Sequence, residues 1–140
     1  MRVLTIRQPM AGAIFHGKDV ENRPGALSHR GPLLIHAGQQ LSDLAAFAQV
    51  KDLGVDVPML GTPGAGVEWS MGAIIGCVDV VSAHRSGECH ERCSPWAQEG
   101  RAHLRLADPR VLSKAVPAYG KQHLWSPPVD VLQKVERYLR

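Results

Sequence analysis

The sequence predicts an α+β domain that combines a small β-barrel with flanking helices. Several short runs rich in β-branched and aliphatic residues are typical of strands, and other segments repeat apolar residues with helical spacing. Gly72 and Gly76 fall inside the longest predicted strand, where glycine is typical of a bulge or of a tight bend in a barrel. A chain of 140 residues fits one domain, 1–140, with its own core.

The predicted elements follow one another in a simple order along the chain. Strands are predicted over 3–6, 18–23, 32–37, 71–83, 102–106, 111–116 and 122–125. One helix is predicted from Pro9, which suits a first turn, to Gly17, which suits a C-terminal stop, and others over 40–51 and 129–139. The stretch 54–66, rich in glycine and proline, is predicted to be a long loop.

Composition and charge exclude some classes of protein and leave others open. No apolar run reaches the roughly 18 residues of a membrane span. The N-terminus lacks the pattern of a signal peptide, so we expect a cytoplasmic protein with no membrane partner. Three cysteines do not suggest a disulfide framework. The net charge is +3, and the basic segments 1–40 and 84–121 flank the acidic segment 41–68, which suits either a bound polyanion or an ordinary solvated surface.

Six blocks of sequence, in order between residues 4 and 125, carry a resemblance to a known family. They are Leu4-Thr5-Ile6-Arg7-Gln8-Pro9, Gly17-Lys18-Asp19-Val20-Glu21-Asn22-Arg23, Arg30-Gly31-Pro32-Leu33-Leu34-Ile35-His36-Ala37, Gly72-Ala73-Ile74-Ile75-Gly76-Cys77-Val78-Asp79-Val80-Val81, Ser94-Pro95-Trp96 and Gly120-Lys121-Gln122-His123-Leu124-Trp125. The second block matches a Gly-Lys-x-Val-Glu-x-Arg core, and the third matches an Arg-Gly-x-Leu-x-Ile strand. On these motifs the sequence resembles the ASCH (activating-signal-cointegrator homology) family.

The resemblance implies a PUA-like fold, in which a cleft lies between a small β-barrel and the helices. It also implies nucleic acid, chiefly RNA, as the partner. Some members of the family look like ribonucleases, a related group hydrolyses N4-acetylcytidine with a lysine, a threonine and a glutamate, and others bind nucleic acid within transcription coactivators. The sequence departs from the family pattern at Met10, where tryptophan is usual, at 24–26, where an aromatic is usual, and at Glu21, where the amidohydrolases have threonine.

Lys18 and Glu21 are the candidate catalytic residues. A lysine desolvated beside Arg23 can act as a base or nucleophile, or bind phosphate; the alternative is a surface lysine at a helix end. The Glu21 carboxylate would hold Lys18 or activate a water; the alternative is a structural salt bridge to Arg23 or Arg7. In a regular strand the two side chains point to opposite faces, so the pair requires Lys18 to lie on the turn between helix and strand.

Further residues are candidates for binding the nucleic acid. The guanidinium groups of the three candidate arginines suit phosphate. Their alternative role is ion pairing with acidic residues such as Asp79. Gln8 suits either a base edge or a cap on the first helix. Trp96 lies in a polar loop and suits stacking on a base, whereas Lys121 suits either phosphate or a hairpin turn. The complete set is Arg7, Gln8, Arg23, Arg30, Trp96 and Lys121.

Cys89, His90 and Cys93, with His84 nearby, are residue types that bind zinc. No second pair follows at a suitable spacing, so chance clustering is the preferred interpretation, and we expect neither a metal nor another cofactor. The function predicted is therefore binding of RNA or a nucleotide in a basic cleft around the second block. The alternative is a metal-independent hydrolase, either a ribonuclease or an N4-acetylcytidine amidohydrolase, that uses Lys18 and Glu21.

Overall fold

Five strands form one mixed sheet. The computed structural model of the protein describes residues 1–25, 27–62, 64–88 and 93–139. The order of strands across the sheet is β1-β3-β4-β5-β2; β1 and β3 are parallel, and the other neighbours are antiparallel. The strands are β1 (Val3–Gln8), β2 (Val20–Arg23), β3 (Gly31–Leu41), β4 (Ala73–Arg85) and β5 (Ala102–Pro117).

The α+β class is confirmed, whereas the barrel is not. β1 and β2 are the two edges of the sheet, and within the described residues no ladder pairs them with each other, so the sheet stays open. The predicted irregularity at Gly76 is confirmed, because the register of β4 against β5 shifts between Ile74 and Gly76. A side chain at Gly76 would collide with the Phe15 ring and lie 2.6 Å from the carbonyl oxygen of Arg110.

In the described ranges three α-helices flank the sheet: α1 (Met10–Ala13), extended by a 3-10 turn over Ile14–His16, α2 (Leu44–Asp52) and α3 (Val129–Tyr138). The second begins later than the predicted 40–51, because β3 continues to Leu41 and Asp43 then caps the helix by accepting the Ala46 amide at 2.9 Å. In the part of the chain that the structure describes, no helix is both long and apolar enough to span a membrane.

Four predicted strands are corrected by the structure. The segments 102–106 and 111–116 belong to one strand, β5, which pairs along β4 with register shifts and passes through Asp108 at a φ of 52°. The segment 122–125 contributes only a bridge between Trp125 and Val3. The strand predicted over 18–23 begins at Val20, which leaves Lys18 on the preceding turn.

The sheet is covered on both faces, as the alternation of its side chains requires. Leu33 and Ile35 pack on one face with Ile14 from the turn after α1. Leu34 packs on the opposite face with Val135 of α3. A third cluster, which contains Val20, Val50, Trp69 and Trp96, joins β2 to α2 and to the loop before β5, and this cluster fixes one side of the cleft described below.

Candidate functional site

Two adjoining cavities form one cleft on the surface. The lysine cavity has a volume of about 470 Å³ and contains Lys18 and Glu21 in its lining. The histidine cavity has a volume of about 510 Å³ and contains His36. Three residues, Thr5, Arg7 and Arg23, line both cavities, so the two are continuous along the end of β1 and the end of β2.

Lys18 and Glu21 form a buried ion pair in the lysine cavity. Gly17 adopts a left-handed conformation with φ 108° and ends the helical turn, and the Lys18 amide donates to the carbonyl of Ala13 at 3.0 Å. Lys18 is therefore still attached to the helix end when the chain enters β2. Its Nζ lies 2.8 Å from Glu21 Oε1, and the side chains are only 2% and 10% exposed. The turn geometry that the pair requires is thus present.

Two of the three arginines predicted to bind phosphate, Arg7 and Arg23, line the cleft. Arg7 donates to the side-chain oxygen of Gln40 at 3.0 Å, and Arg23 lies at the end of β2. Within the described ranges neither arginine has a carboxylate partner. Arg30 lies outside both cavities and donates to the backbone oxygens of Leu27 and His29, each at 2.8 Å.

The acidic partner proposed for these arginines is also different. Asp79 on β4 pairs with Arg110 of the neighbouring strand β5, at 3.2 Å, instead of with Arg7 or Arg30. Glu21 pairs with Lys18, so the alternative of a Glu21 salt bridge to Arg23 or Arg7 is not what the structure has. Within the described residues, the charge of both arginines on the shared wall is thus not neutralised by a carboxylate.

Gln8 does not face the cleft, contrary to its predicted role at a base edge. Its side chain is fully buried and donates to the carbonyl oxygens of Glu68 and Ser70 at 2.8 and 3.0 Å. Its own oxygen accepts the amide of Gly12 at 2.8 Å, inside the first helix. The alternative, a cap on that helix, is therefore the role that the hydrogen bonds support.

Trp96 is a core residue, which corrects the prediction that it stacks on a base. It is 5% exposed and packs in the cluster with Val20 and Trp69. The sequence around it is polar, but Asn22 holds the loop against β2: its amide donates to the Trp96 carbonyl, and its oxygen accepts the Gln98 amide, both at 2.8 Å. This clamp turns the indole inward and leaves Gln98 on the wall of the lysine cavity.

A second bond secures the same loop. The hydroxyl of Ser94 donates to Asp19 at 2.5 Å and accepts the Trp96 amide at 3.1 Å. Asp19 and Asn22 belong to the segment that carries Lys18 and Glu21, so the loop and the ion pair are held as one unit. Arg101, which follows this loop, lines the lysine cavity and was missed by sequence reasoning because no motif marks it.

His36 provides a hydrogen-bond acceptor in the histidine cavity. Its Nε2 lies 2.7 Å from the carbonyl oxygen of Ala118, so this nitrogen carries the proton and donates. Burial lowers the pKa of His36 despite the opposing effect of that bond. Its Nδ1 is buried, has no hydrogen-bond partner in the part of the chain that the structure describes, and faces Gly120, where an added Cβ would lie 2.9 Å from it. Lys121, a predicted phosphate ligand, follows Gly120 and lines this cavity.

Two aromatic side chains and a hydroxyl lie in or next to the histidine cavity. Trp125 is buried, and its Nε1 donates to the hydroxyl of Thr5 at 3.1 Å. Tyr119 lines the cavity and is 87% exposed, which makes it the aromatic ring available at the rim. Sequence reasoning did not single out Thr5.

Comparison with known proteins identifies the fold. No protein-family model and no curated protein sequence matches the chain. Among solved structures, the ASCH protein of Zymomonas mobilis is similar at a TM-score of 0.54 and 15% identity, over 99% of this chain and 95% of that one. Two mutants of the same protein give TM-scores of 0.53 at 15% and 14% identity, over 99% of this chain and 98% and 96% of theirs. The chain therefore has the fold of an ASCH domain.

Proposed function

We propose that this protein binds RNA or a nucleotide in the cleft formed by the lysine and histidine cavities. The observation that carries the proposal is the wall of Arg7 and Arg23 common to both cavities, where neither guanidinium has a carboxylate partner in the described part of the chain. Guanidinium groups in a concave surface suit phosphate, which they bind through paired N–H···O bonds. The choice of RNA among polyanions follows from the sequence resemblance to the ASCH family.

The charge of the cleft supports an anionic ligand. Beside the shared arginines, the lining includes the basic residues Lys18, Arg101 and Lys121 and the acidic residues Glu21 and Asp43. Glu21 is already neutralised by Lys18 at 2.8 Å, so the remaining positive charge is opposed only by Asp43 in this lining. A cleft lined mainly by one sign of charge attracts ligands of the other sign and raises their rate of association.

The size and polarity of the histidine cavity support recognition of a base. Its volume of about 510 Å³ lies within the range of small-molecule sites, roughly 300–1,000 Å³. The exposed ring of Tyr119 offers a surface for stacking, which is sequence-tolerant because every base has a π-face. The Nδ1 of His36 is buried and has no hydrogen-bond partner among the described residues, so a base or sugar donor that reached this atom, including a 2′-hydroxyl, would satisfy it.

Binding can be tested with the two shared arginines. Fluorescently labelled short RNA is titrated with Arg7→Ala, Arg23→Ala and wild-type protein at several salt concentrations, with anisotropy as the measurement. Each cleft variant is expected to weaken binding and to lower the slope of log K against log salt by about 0.7–1, the effect of one lost phosphate contact. Arg137→Ala, an exposed arginine on α3, is the matched control, and Arg30→Ala should behave like it. Equal affinity of all four variants would exclude this cleft.

A second candidate function, hydrolysis, is favoured by the buried pair of Lys18 and Glu21. Two ionised groups are costly to bury, and such pairs are concentrated at functional sites. The amidohydrolase group uses a hydroxyl as well, and here the hydroxyl of Thr5 lines the same cavity although the position of that group's threonine is occupied by Glu21. Under this proposal Lys18 and Glu21 share proton transfer, and the arginines stabilise developing negative charge.

Hydrolysis is tested by incubating wild-type protein with labelled RNA and, separately, with N4-acetylcytidine. Lys18→Met is expected to abolish turnover while RNA binding persists. Arg23→Ala is expected to weaken RNA binding more than it lowers turnover of bound substrate. Lys18→Met combined with Glu21→Gln serves as a second inactive variant, since it leaves no unpaired buried charge. Intact substrates after incubation with folded, RNA-binding wild-type protein would leave binding as the function and exclude both of these reactions.

A further inference from the structure

We propose a zinc site formed by His84, Cys93 and His103, on the side of β5 that carries the loop 93–101. The potential ligand atoms of these residues all lie within 4.8 Å of one another. None of the three lines the lysine or the histidine cavity, so this site is separate from the proposed RNA-binding cleft. Of the residues suggested by sequence, Cys93 is retained, whereas Cys89 and His90 lie outside the described residues and form no part of the proposal.

The backbone brings these ligands together from three places in the chain. His84 on β4 and His103 on β5 are directly paired in the antiparallel ladder, and their rings lie edge to face with centroids 5.2 Å apart. Cys93 begins the loop that Ser94 and Asn22 fix to the neighbouring segment. Sequence spacing could not reveal the set, because the third ligand, His103, reaches the cluster through strand register.

Two of the three distances between ligand atoms match those around a tetrahedral zinc ion, and the third, between His84 and Cys93, is within 4.8 Å. With Zn–N bonds of about 2.0–2.1 Å and a Zn–S bond of about 2.3 Å, two nitrogens lie about 3.4 Å apart and a nitrogen and a sulfur about 3.6 Å apart. The Nδ1 of His103 lies 3.3 Å from His84 Nε2 and 3.4 Å from Cys93 Sγ. An ion can therefore bind the three atoms when His84 Nε2 and Cys93 Sγ also lie about 3.6 Å apart.

The tautomer of His103 also suits a metal ligand. Its Nε2 lies 2.7 Å from the carbonyl oxygen of Gln98, so Nε2 carries the proton and Nδ1 presents a lone pair to the cluster. A backbone carbonyl that accepts from the distal ring nitrogen is the usual means of orienting a histidine ligand. His103 is also 3% exposed, which keeps its ring in place.

The ligand types select zinc over harder cations. Two imidazoles and one thiolate are ligands that zinc prefers, whereas magnesium and calcium prefer oxygen. On binding, the Cys93 thiol transfers its proton to solvent and the thiolate forms the Zn–S bond, with no change of oxidation state. Three ligands from the described residues leave one position of a tetrahedral ion for a further donor. The ion would tie the loop 93–101, and with it Gln98 and Arg101 of the cleft wall, to β4 and β5.

Zinc content provides the first test. Full-length protein without a histidine tag, purified without chelators from zinc-supplemented cells, is expected to retain stoichiometric zinc through gel filtration, as measured by mass spectrometry. Cys93→Ala and His103→Ala are expected to weaken zinc affinity by more than about tenfold. Cys77→Ala and His29→Gln, which alter the same residue types outside the cluster, should retain zinc. Background zinc in the wild-type protein, or full zinc in the two cluster variants, would overturn the proposal.

A second test does not depend on whether a variant folds. Cobalt added to the metal-free wild-type protein is expected to give a thiolate-to-cobalt charge-transfer band, and excess zinc should displace it. Peptide-level alkylation should find Cys93 protected when zinc is bound and modified after chelation. Absence of the charge-transfer band in folded wild-type protein, equal alkylation of Cys93 with and without zinc, or a disulfide at Cys93 in the freshly purified protein would each refute the site.

Discussion

The buried pair of Lys18 and Glu21 makes a quantitative prediction about stability. In Lys18→Met the Glu21 carboxylate, which is 10% exposed, loses the ammonium that lies 2.8 Å from it. Removing one partner of a buried ion pair costs about 3–5 kcal/mol, because the remaining charge is left without compensation. For a chain of this size the melting temperature would fall by about 10 °C, at roughly 2–4 °C per kcal/mol.

The double-mutant cycle separates the interaction from the two substitutions. Glu21→Gln keeps an acceptor near Lys18 but removes the charge, and Lys18→Met with Glu21→Gln leaves two neutral side chains of similar size. We expect the double variant to be more stable than Lys18→Met alone, with a coupling above about 1 kcal/mol. Urea denaturation measures each free energy of unfolding, and an unchanged m value would show that the same surface is exposed.

The outcome that would refute the reasoning is additivity. If the losses of the single variants sum to that of the double variant within about 0.5 kcal/mol, the charges do not interact appreciably. A loss below about 1 kcal/mol for Lys18→Met would indicate a solvated pair. Either result would contradict the buried 2.8 Å contact and remove the main support for a catalytic role of these residues.

Two further predictions concern residues around the cleft. Because burial depresses the folded-state pKa of His36, its contribution to stability is present above its ordinary value of 6.5 and is lost as the pH falls through the folded pKa. Urea titrations at several pH values should therefore show that the free energy of unfolding falls more steeply with decreasing pH in wild type than in His36→Gln, by up to about 1.4 kcal/mol per pH unit. Parallel plots of this free energy against pH would contradict the prediction. Trp96→Ala should destabilise the protein by about 3–5 kcal/mol in the same assay, because its side chain is buried. Tyr119→Ala should change stability by less than about 0.5 kcal/mol yet weaken RNA binding, because its ring is exposed. Weaker RNA binding by Trp96→Ala with a stability loss in Tyr119→Ala would place the stacking ring at Trp96.

The residues that sequence reasoning located correctly are those whose positions depend on local structure. Gly17 ends a helical turn because it adopts φ 108°, and the Lys18 amide still bonds to Ala13. The spacing between Lys18 and Glu21 then suffices to bring their side chains together. This geometry is set within nine residues, so a single sequence contains most of the information needed to predict it.

The errors arise where tertiary contacts decide the environment of a side chain. Trp96 lies in a polar stretch, and bonds from the loop to Asn22 and Asp19, both distant in sequence, hold it in the core. Gln8 lies at the end of β1, and its side chain is buried because it donates to the carbonyl groups of residues 68 and 70, which are distant in sequence. The barrel was likewise predicted from local bends, although closure depends on whether β1 and β2 meet, and that is a property of the whole sheet.

The stability cycle also bears on why the pair is present. A buried ion pair is a weak source of stability, since hydrophobic residues of similar volume often serve as well or better. If the double variant is as stable as wild type, the fold does not require the charges, and their place in the lining of a cleft rich in arginine needs a different explanation. Loss of RNA turnover in that same stable variant would assign the charges to chemistry. Retained turnover, or none in the wild type, would instead leave Arg7 and Arg23 as the functional centre, with the pair serving to hold the turn beneath them.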